Sequence, residues 1–466
     1  MHYVLPHNKR FSLFVVIKIR RKEMKKLVAL LLAVLMIACV FAGCAKPADK
    51  PADAPADAPA DKPADAPADA PADAPADEPA SEFSMDYAGE TVTVFSRQVP
   101  NENWQAFVDL VKEKTGIIVE GVAAPTSKGD LATKLAAVVT TGDDTYDLFT
   151  VDEILANTYY AGGFIAPIDD AIMPYAEYYS EGVLNDCVKL GTDNCYIMPQ
   201  SFNPGFFYYN PQIFTELGIT PPTNKDEFLA AAEAISADGR YGFGCGWSTG
   251  GYLWNYICTF VYLFDGDFYN WDDPNTQAAI QFMYDCIYTY EITPQSVLGD
   301  NYTTMYQKFL EGQYGMTICY SALAQTAGAE NFGTVVDIAK YPKFNTDRAT
   351  FNCWGMALNA ASKKQEAATE VLKVWTSFEG QKINAMYFDG TARLDVLDDP
   401  EVIGLKLESQ DVADYSKGYI TPRPMSAQVS EVEELMEVNV SAYLSNQIDL
   451  ATCCANVNKG LTDIGF

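Results

Sequence analysis

Trp247 and Trp254 flank the stretch Ser248-Thr-Gly-Gly251, whose composition is that of a loop, where packing does not readily account for a large ring. Earlier in the chain an acidic pair, Asp152-Glu153, follows one short β-rich run, and Ser96-Arg97 follows another. An indole offers a flat apolar face, and carboxylates and guanidinium groups accept or donate several hydrogen bonds at once. This chemistry suits binding better than bond-breaking. Two carboxylates alone can hydrolyse a glycosidic bond, but no such pair stands out. Both histidines, His2 and His7, precede Met24. If the chain is cut after that point, it has no imidazole for proton transfer or metal ligation. A phosphate loop of the Gly-x-x-x-x-Gly-Lys-Ser/Thr type is missing from the sequence, so an ATP-using step belongs to another chain. No cofactor is expected.

These residues belong to a chain with an export signal. Met24-Lys-Lys is followed by Leu27–Phe41, wholly apolar, and then Ala42-Gly43-Cys44. The apolar run is short for a membrane span, and small residues before a cut mark a secretory signal at 24–43. Phe41-Ala42-Gly43-Cys44 resembles the lipobox of bacterial lipoproteins, which implies that the Cys44 thiol receives a lipid and becomes the new N-terminus. The alternative is an ordinary transmembrane anchor. Residues 1–23 hold a second apolar run, Phe11–Ile19, before Arg20-Arg21-Lys22, and are read as a mis-assigned start, with an N-terminal extension as the alternative. Without residues 1–43 the chain keeps 24 basic and 61 acidic residues, a net charge of −37. Such a chain will not seek nucleic acid or anionic lipid.

Prolines recur at every fourth position from Pro47 to Pro79, in Pro-Ala-Asp repeats. Proline fixes φ and nothing large is present to bury, so residues 44–82 are expected to form an extended tether. At ~3.1 Å per residue it could span on the order of 100 Å.

From Phe83 the composition becomes globular, with length enough for two domains. Thr91–Phe95, Ile117–Glu120 and Tyr146–Val151 read as strands. Trp104, Phe107, Val108 and Val111, then Leu131, Leu135, Val138 and Val139, mark helices between them, closed by Thr115-Gly116 and Thr141-Gly142. This alternation predicts a parallel α/β sheet, with ligands beyond the carboxyl ends of its strands, where Arg97, Asp152 and Glu153 fall. Trp104 and Trp375 lie on apolar helical stripes and are expected in the core.

Several segments in order, behind a lipobox, resemble the extracellular solute-binding proteins of ABC importers, the type that includes maltose- and oligosaccharide-binding lipoproteins. The clearest is Phe207-Tyr-Tyr-Asn-Pro-Gln-Ile-Phe214, Leu217-Gly-Ile-Thr-Pro-Pro-Thr223 and Asp226-Glu-Phe228. There Pro221-Pro222 bars a helix from continuing and Thr223 can cap the next. Gly162–Asp169, Glu311–Ile318 and Gly355–Lys363 match further segments, with Gly315 where the family usually has Ala.

The resemblance implies a two-lobed periplasmic-binding-protein-like fold, each lobe a mainly parallel sheet flanked by helices, with the ligand cleft between them. Carried over by position, lobe 1 is 84–203 plus 356–388 and lobe 2 is 207–352 plus 392–466. The chain would cross near Ser201–Phe206, Cys353–Met356 and Asp389–Arg393. It implies a monomeric, non-catalytic carrier at the outer face of the membrane, handing a solute to permease subunits. A cleft holding Trp247, Trp254, Tyr320 and Trp354 beside Arg97, Asp152, Glu153, Asn203 and Arg393 would suit a saccharide, whose ring faces stack and whose hydroxyls hydrogen-bond. Asp152 and Glu153 leave a polyamine or other cationic solute as the rival. A surface glycosidase or a cleftless adhesin are the other classes. Met425–Val432 lacks the aromatic residue the family often places there, which bears on the choice of sugar.

Nine cysteines follow Cys44. Cys187 and Cys195 are close enough to pair, and buried free thiols are the alternative reading. With no Cys-x-x-Cys and no histidine partner, a zinc site is not expected.

Overall fold

The computed structural model describes residues 82–466 apart from 102–103, 126–127, 388–389, 419 and 425. The signal segment, Cys44 and the proline repeat lie outside the described residues. The chain first lays down β1 (Thr91–Ser96), β2 (Ile118–Ala123) and β3 (Leu148–Asp152), with helices Trp104–Thr115 and Lys128–Val139 between them. β1 pairs in parallel with both β2 and β3, as the alternation of short β-rich runs and amphipathic stretches requires. Trp104, Phe107 and Trp375 form one aromatic cluster, with Phe107 and Trp375 centroids 4.0 Å apart.

A second, four-stranded sheet holds β6 (Phe206–Tyr209), β7 (Tyr241–Gly244), β8 (Tyr314–Cys319) and β9 (Asp337–Ala339) in the order β7-β8-β6-β9. Asn210 caps the helix Pro211–Leu217, and Gly218 ends it. Asn224 rather than Thr223 caps the helix Lys225–Ala237, accepting from the Glu227 amide at 3.0 Å. Thr223 is held by Glu227 reaching back, with Oε2 accepting from both its amide and its hydroxyl. One residue of register decides this, since a cap must stand where the backbone is still extended.

The first sheet also holds β4 (Ile165–Ala166), β5 (Ile197–Pro204) and the long β10 (Ala349–Asn359), with β11 (Ile420–Pro422) at the edge, and β5 and β10 connect it to the second sheet. β10 runs antiparallel to β3, β4 and β5 and parallel to β11. Both sheets are therefore mixed. The parallel pairing expected from sequence is confined to β2-β1-β3, β7-β8 and β10-β11, because β10 enters the first sheet from the side of the second.

The passage near Ser201–Phe206 is a single residue, Gly205, between β5 and β6. Its amide donates to the Thr350 carbonyl at 2.7 Å. A Cβ there would stand 3.2 Å from the Tyr341 hydroxyl and 3.3 Å from the Thr350 carbonyl. The second crossing is β10 itself. The third is expected near Asp389–Arg393. After Arg393 the chain enters short helices at 394–405 whose Val396 and Val402 pack with Ala385, against the helix Phe378–Tyr387 that precedes them. Contact with the second sheet comes later, at Tyr415 against Phe206 and Tyr341. The apolar face of Phe378–Tyr387 needs a cover, and the following turns supply it.

Cys187 and Cys195 are both buried free thiols. The Cys195 amide is bonded to Asp169 and its sulfur lies 3.8 Å from that of Met173. Among the described residues no helix is long and apolar enough to cross a membrane, and no cluster of His, Cys, Asp and Glu could hold a metal ion.

Candidate ligand cleft

β3 ends in Asp152, and the helix Glu153–Ala161 begins at once, so two adjacent carboxylates stand at a strand's carboxyl end. Asp152 caps that helix, accepting from the Ile154 amide at 3.2 Å. Both carboxylates are buried and face Arg423. Arg423 Nη2 donates to Asp152 Oδ1 at 3.1 Å and Nε to Glu153 Oε1 at 3.0 Å. The Cys353 amide, on β10, donates to Glu153 Oε2 at 3.0 Å.

Burial pushes the Glu153 carboxyl up; Arg423 opposes the shift and Asp152 adds to it. Burial works against a charge on Arg423, but Glu153 and Asp152 outweigh it and hold the guanidinium charged.

From the second lobe, Asn255 closes the cluster. Its Oδ1 accepts from Arg423 Nη1 at 3.1 Å and from the Tyr320 hydroxyl at 2.9 Å. Its Nδ2 donates to the Gly251 carbonyl at 2.8 Å and to the Tyr302 hydroxyl at 3.1 Å. Tyr302 meets Tyr252 and Tyr320 edge-on, at 5.1 and 6.0 Å. Aromatic edges, an amide and an ion triad thus converge where the lobes meet. A cavity of about 10 Å³ lies between Gly205, Asn255, Tyr302, Tyr320 and Thr350. Another of about 20 Å³ lies beside Asn203, Ser321, Gln325 and Glu408. Such volumes suit single waters rather than a small-molecule solute.

Of the residues expected from sequence, Asp152, Glu153 and Tyr320 fall in this cluster. Trp354 pairs with Asp152 across β10 and β3. It is half-buried, and the Arg97 guanidinium sits over its ring at 4.2 Å. Arg97 Nε is buried with no hydrogen-bond partner among the described residues. Asn203 accepts from the Ser321 hydroxyl at 2.7 Å, a bond between the lobes.

Three expected residues lie elsewhere. Trp254 is not on a loop but in the helix Tyr252–Leu263, wholly buried, edge-on to Phe268 at 5.2 Å. Trp247 is equally buried, edge-on to Tyr256 and Phe260. The helix that starts right after Gly251 turns Trp254 inward, and Trp247, which precedes it, packs against that helix. Arg393 is buried with its donors taken by Asp395 and the Thr376 carbonyl, and its guanidinium lies over Tyr178 at 4.3 Å.

Sequence reasoning missed Arg423, Asn255, Tyr252 and Tyr302. Arg423 carried a signal, since it stands between two prolines in Thr421-Pro-Arg-Pro424. Asn255 carried another, as the one amide in the apolar run Tyr252–Leu263.

Among solved structures, the chain is similar to maltose-bound MalE3 of T. maritima at 20% identity, over 81% of this chain and 100% of that one, with a TM-score of 0.69. It is similar at 19% identity to an ABC transporter solute-binding protein of Thermotoga lettingae bound with alpha-D-tagatose, over 80% and 100% of the two chains, TM-score 0.66. A third, from Agrobacterium radiobacter K84 in complex with ribitol, matches at 18% identity over 81% and 99%, TM-score 0.67. At these identities the likeness fixes the fold, that of two-lobed periplasmic binding proteins. The family described as bacterial extracellular solute-binding protein matches residues 52–382, the greater part of the chain, and it is a family of binding proteins rather than enzymes. The chain belongs to the bacterial extracellular solute-binding proteins.

Proposed function

We infer that the protein is a non-catalytic carrier that captures a neutral, polyhydroxylated solute, a sugar or oligosaccharide, and delivers it to the permease subunits of an ABC importer. The observation that carries this reading is Arg423. It sits against both Asp152 and Glu153, so the acidic pair already has its counter-charge. A cationic solute such as a polyamine would have to displace a buried guanidinium from two carboxylates, which leaves an uncompensated buried charge. A sugar needs no net charge and can use amide, hydroxyl and aromatic edges as they stand. The relatives solved with maltose, alpha-D-tagatose and ribitol carry ligands of this chemical class.

In this reading a signal at 24–43 exports the chain, lipid on Cys44 tethers a monomer to the outer face of the membrane, and the proline repeat is the spacer. The ligand contacts are Asp152, Glu153, Asn203, Tyr320, Trp354 and Arg97, joined by Asn255, Tyr252, Tyr302 and Arg423. A thermal-shift screen of the purified chain against maltose, tagatose, ribitol, putrescine and spermidine tests it. A ligand of the native state raises the melting temperature. A rise with a polyamine and none with any sugar would overturn the saccharide reading.

A further inference from the structure

Glu437 lies within the helix Val429–Leu444, 5% exposed. Its carboxylate is seated on the backbone of a loop 187 residues earlier. Oε2 accepts from the Gly250 amide at 2.7 Å, and Oε1 accepts from the Gly251 and Trp254 amides, each at 3.0 Å. Gly250 and Gly251 have φ of +96° and +95°, a left-handed conformation that turns successive N–H groups to one side. Those groups open the helix Tyr252–Leu263, whose amino end favours negative charge. The backbone builds an anion site, and the chain supplies the anion itself.

The anchored loop leads directly into the cleft. Asn255 Nδ2 bonds the Gly251 carbonyl, so this glycine is held by Glu437 through its amide and by Asn255 through its oxygen. The same Asn255 presents Oδ1 to Arg423 and Tyr320. The segment leading into the Glu437 helix also touches the first lobe, where the Thr158 hydroxyl donates to the Ala427 carbonyl at 2.9 Å.

We propose that Glu437 is a positioning residue for the ligand cleft. It acts through Gly250, Gly251 and Asn255, and fixes where Asn255 stands against Arg423 without touching the solute. The proposal rests on the reading of this cleft as the ligand site.

The test uses the full chain with Glu437→Ala and Glu437→Gln, followed by hydrogen exchange of the segment 245–256 and by calorimetric titration with maltose, each with and without added formate. In Glu437→Ala the segment exchanges about tenfold faster and maltose binds about tenfold more weakly. Formate restores both by occupying the vacated N–H cluster, which a packing role would not permit. Glu437→Gln, which keeps one acceptor oxygen, is intermediate, and it carries the test if the alanine variant does not fold. The proposal is overturned if formate leaves the exchange unchanged, or if the segment loosens while maltose affinity stays at the wild-type value. Absence of maltose binding by the wild-type chain would count against the saccharide reading for that sugar, and formate-dependent exchange would still decide whether Glu437 holds the loop.

Discussion

Arg423 and Glu153 are 270 residues apart in sequence and are joined by two hydrogen bonds, one of them from Nε to Oε1 at 3.0 Å. Both side chains are buried. Each group owes its tolerance of burial to the other, because a lone charge in the interior is expensive. The pair also joins the residue after β11 to the start of the helix that follows β3, and with Asn255 it ties the two lobes at the cleft.

Arg423→Ala should therefore cost about 3–5 kcal/mol of stability, since it strands two buried carboxylates. Adding Glu153→Gln to that variant should recover part of the loss by removing one of them. Urea unfolding of the single and double variants reads both numbers. A loss near zero for Arg423→Ala would mean that water reaches the site freely.

Trp254 and Trp354 should separate cleanly. Trp254→Ala removes a fully buried indole, and the expected cost is about 3–5 kcal/mol in unfolding free energy. Trp354→Ala removes a half-buried ring beside Asp152, and about 2 kcal/mol of sugar affinity is expected to go with it, roughly thirtyfold. Unfolding and titration on the same preparations distinguish the two, and the reverse pattern would exchange their roles.

Gly205→Ala brings a methyl group to 3.2 Å from the Tyr341 hydroxyl at the crossing. A loss of about 1–3 kcal/mol is expected, as for other overpacked sites. That hydroxyl is buried with no hydrogen-bond partner among the described residues, so Tyr341→Phe alone should be neutral or stabilising by up to about 1 kcal/mol. In the double variant the two effects should couple favourably. Strict additivity in the double-mutant cycle would show that the backbone, not the hydroxyl, sets the limit.

Asp411 gives a pH dependence. Burial, reinforced by Asp337, Asp414 and Glu408, pushes its carboxyl up from 3.8 to about 7. The folded state thus holds this proton more tightly than the unfolded chain does. Its contribution to stability is complete below the unfolded value and is lost as pH rises through about 7. Asp411→Asn should flatten the fall in melting temperature between about pH 4 and pH 7. An unchanged slope would remove Asp411 from the account.

Cys44→Ser should leave the chain unlipidated, either released or retained as precursor. Metabolic labelling with a fatty acid, together with detergent partitioning, checks this. Unaltered partitioning into the membrane fraction would rule out the lipid anchor.

What the sequence determined by itself is local. The β1–helix–β2–helix–β3 order followed from apolar spacing and turn residues, because each depends on residues within a few positions of one another, whereas the passage near Gly205 was carried over by position from the family resemblance. The acidic pair at the end of β3 was legible for the same reason, since strand ends and helix starts are short-range features. What the tertiary structure decided is which side chains meet. Nothing near Asp152 and Glu153 in sequence announces Arg423, and nothing near Gly250 announces Glu437, since those partners arrive only after β10 has crossed and the final helices have packed. Trp254 shows the same limit over a shorter distance. Three residues past Gly251 it read as a loop ring, yet a helix starting at Tyr252 turns it into the core, and only the packing of that helix against its neighbours fixes which of its faces meets the cleft.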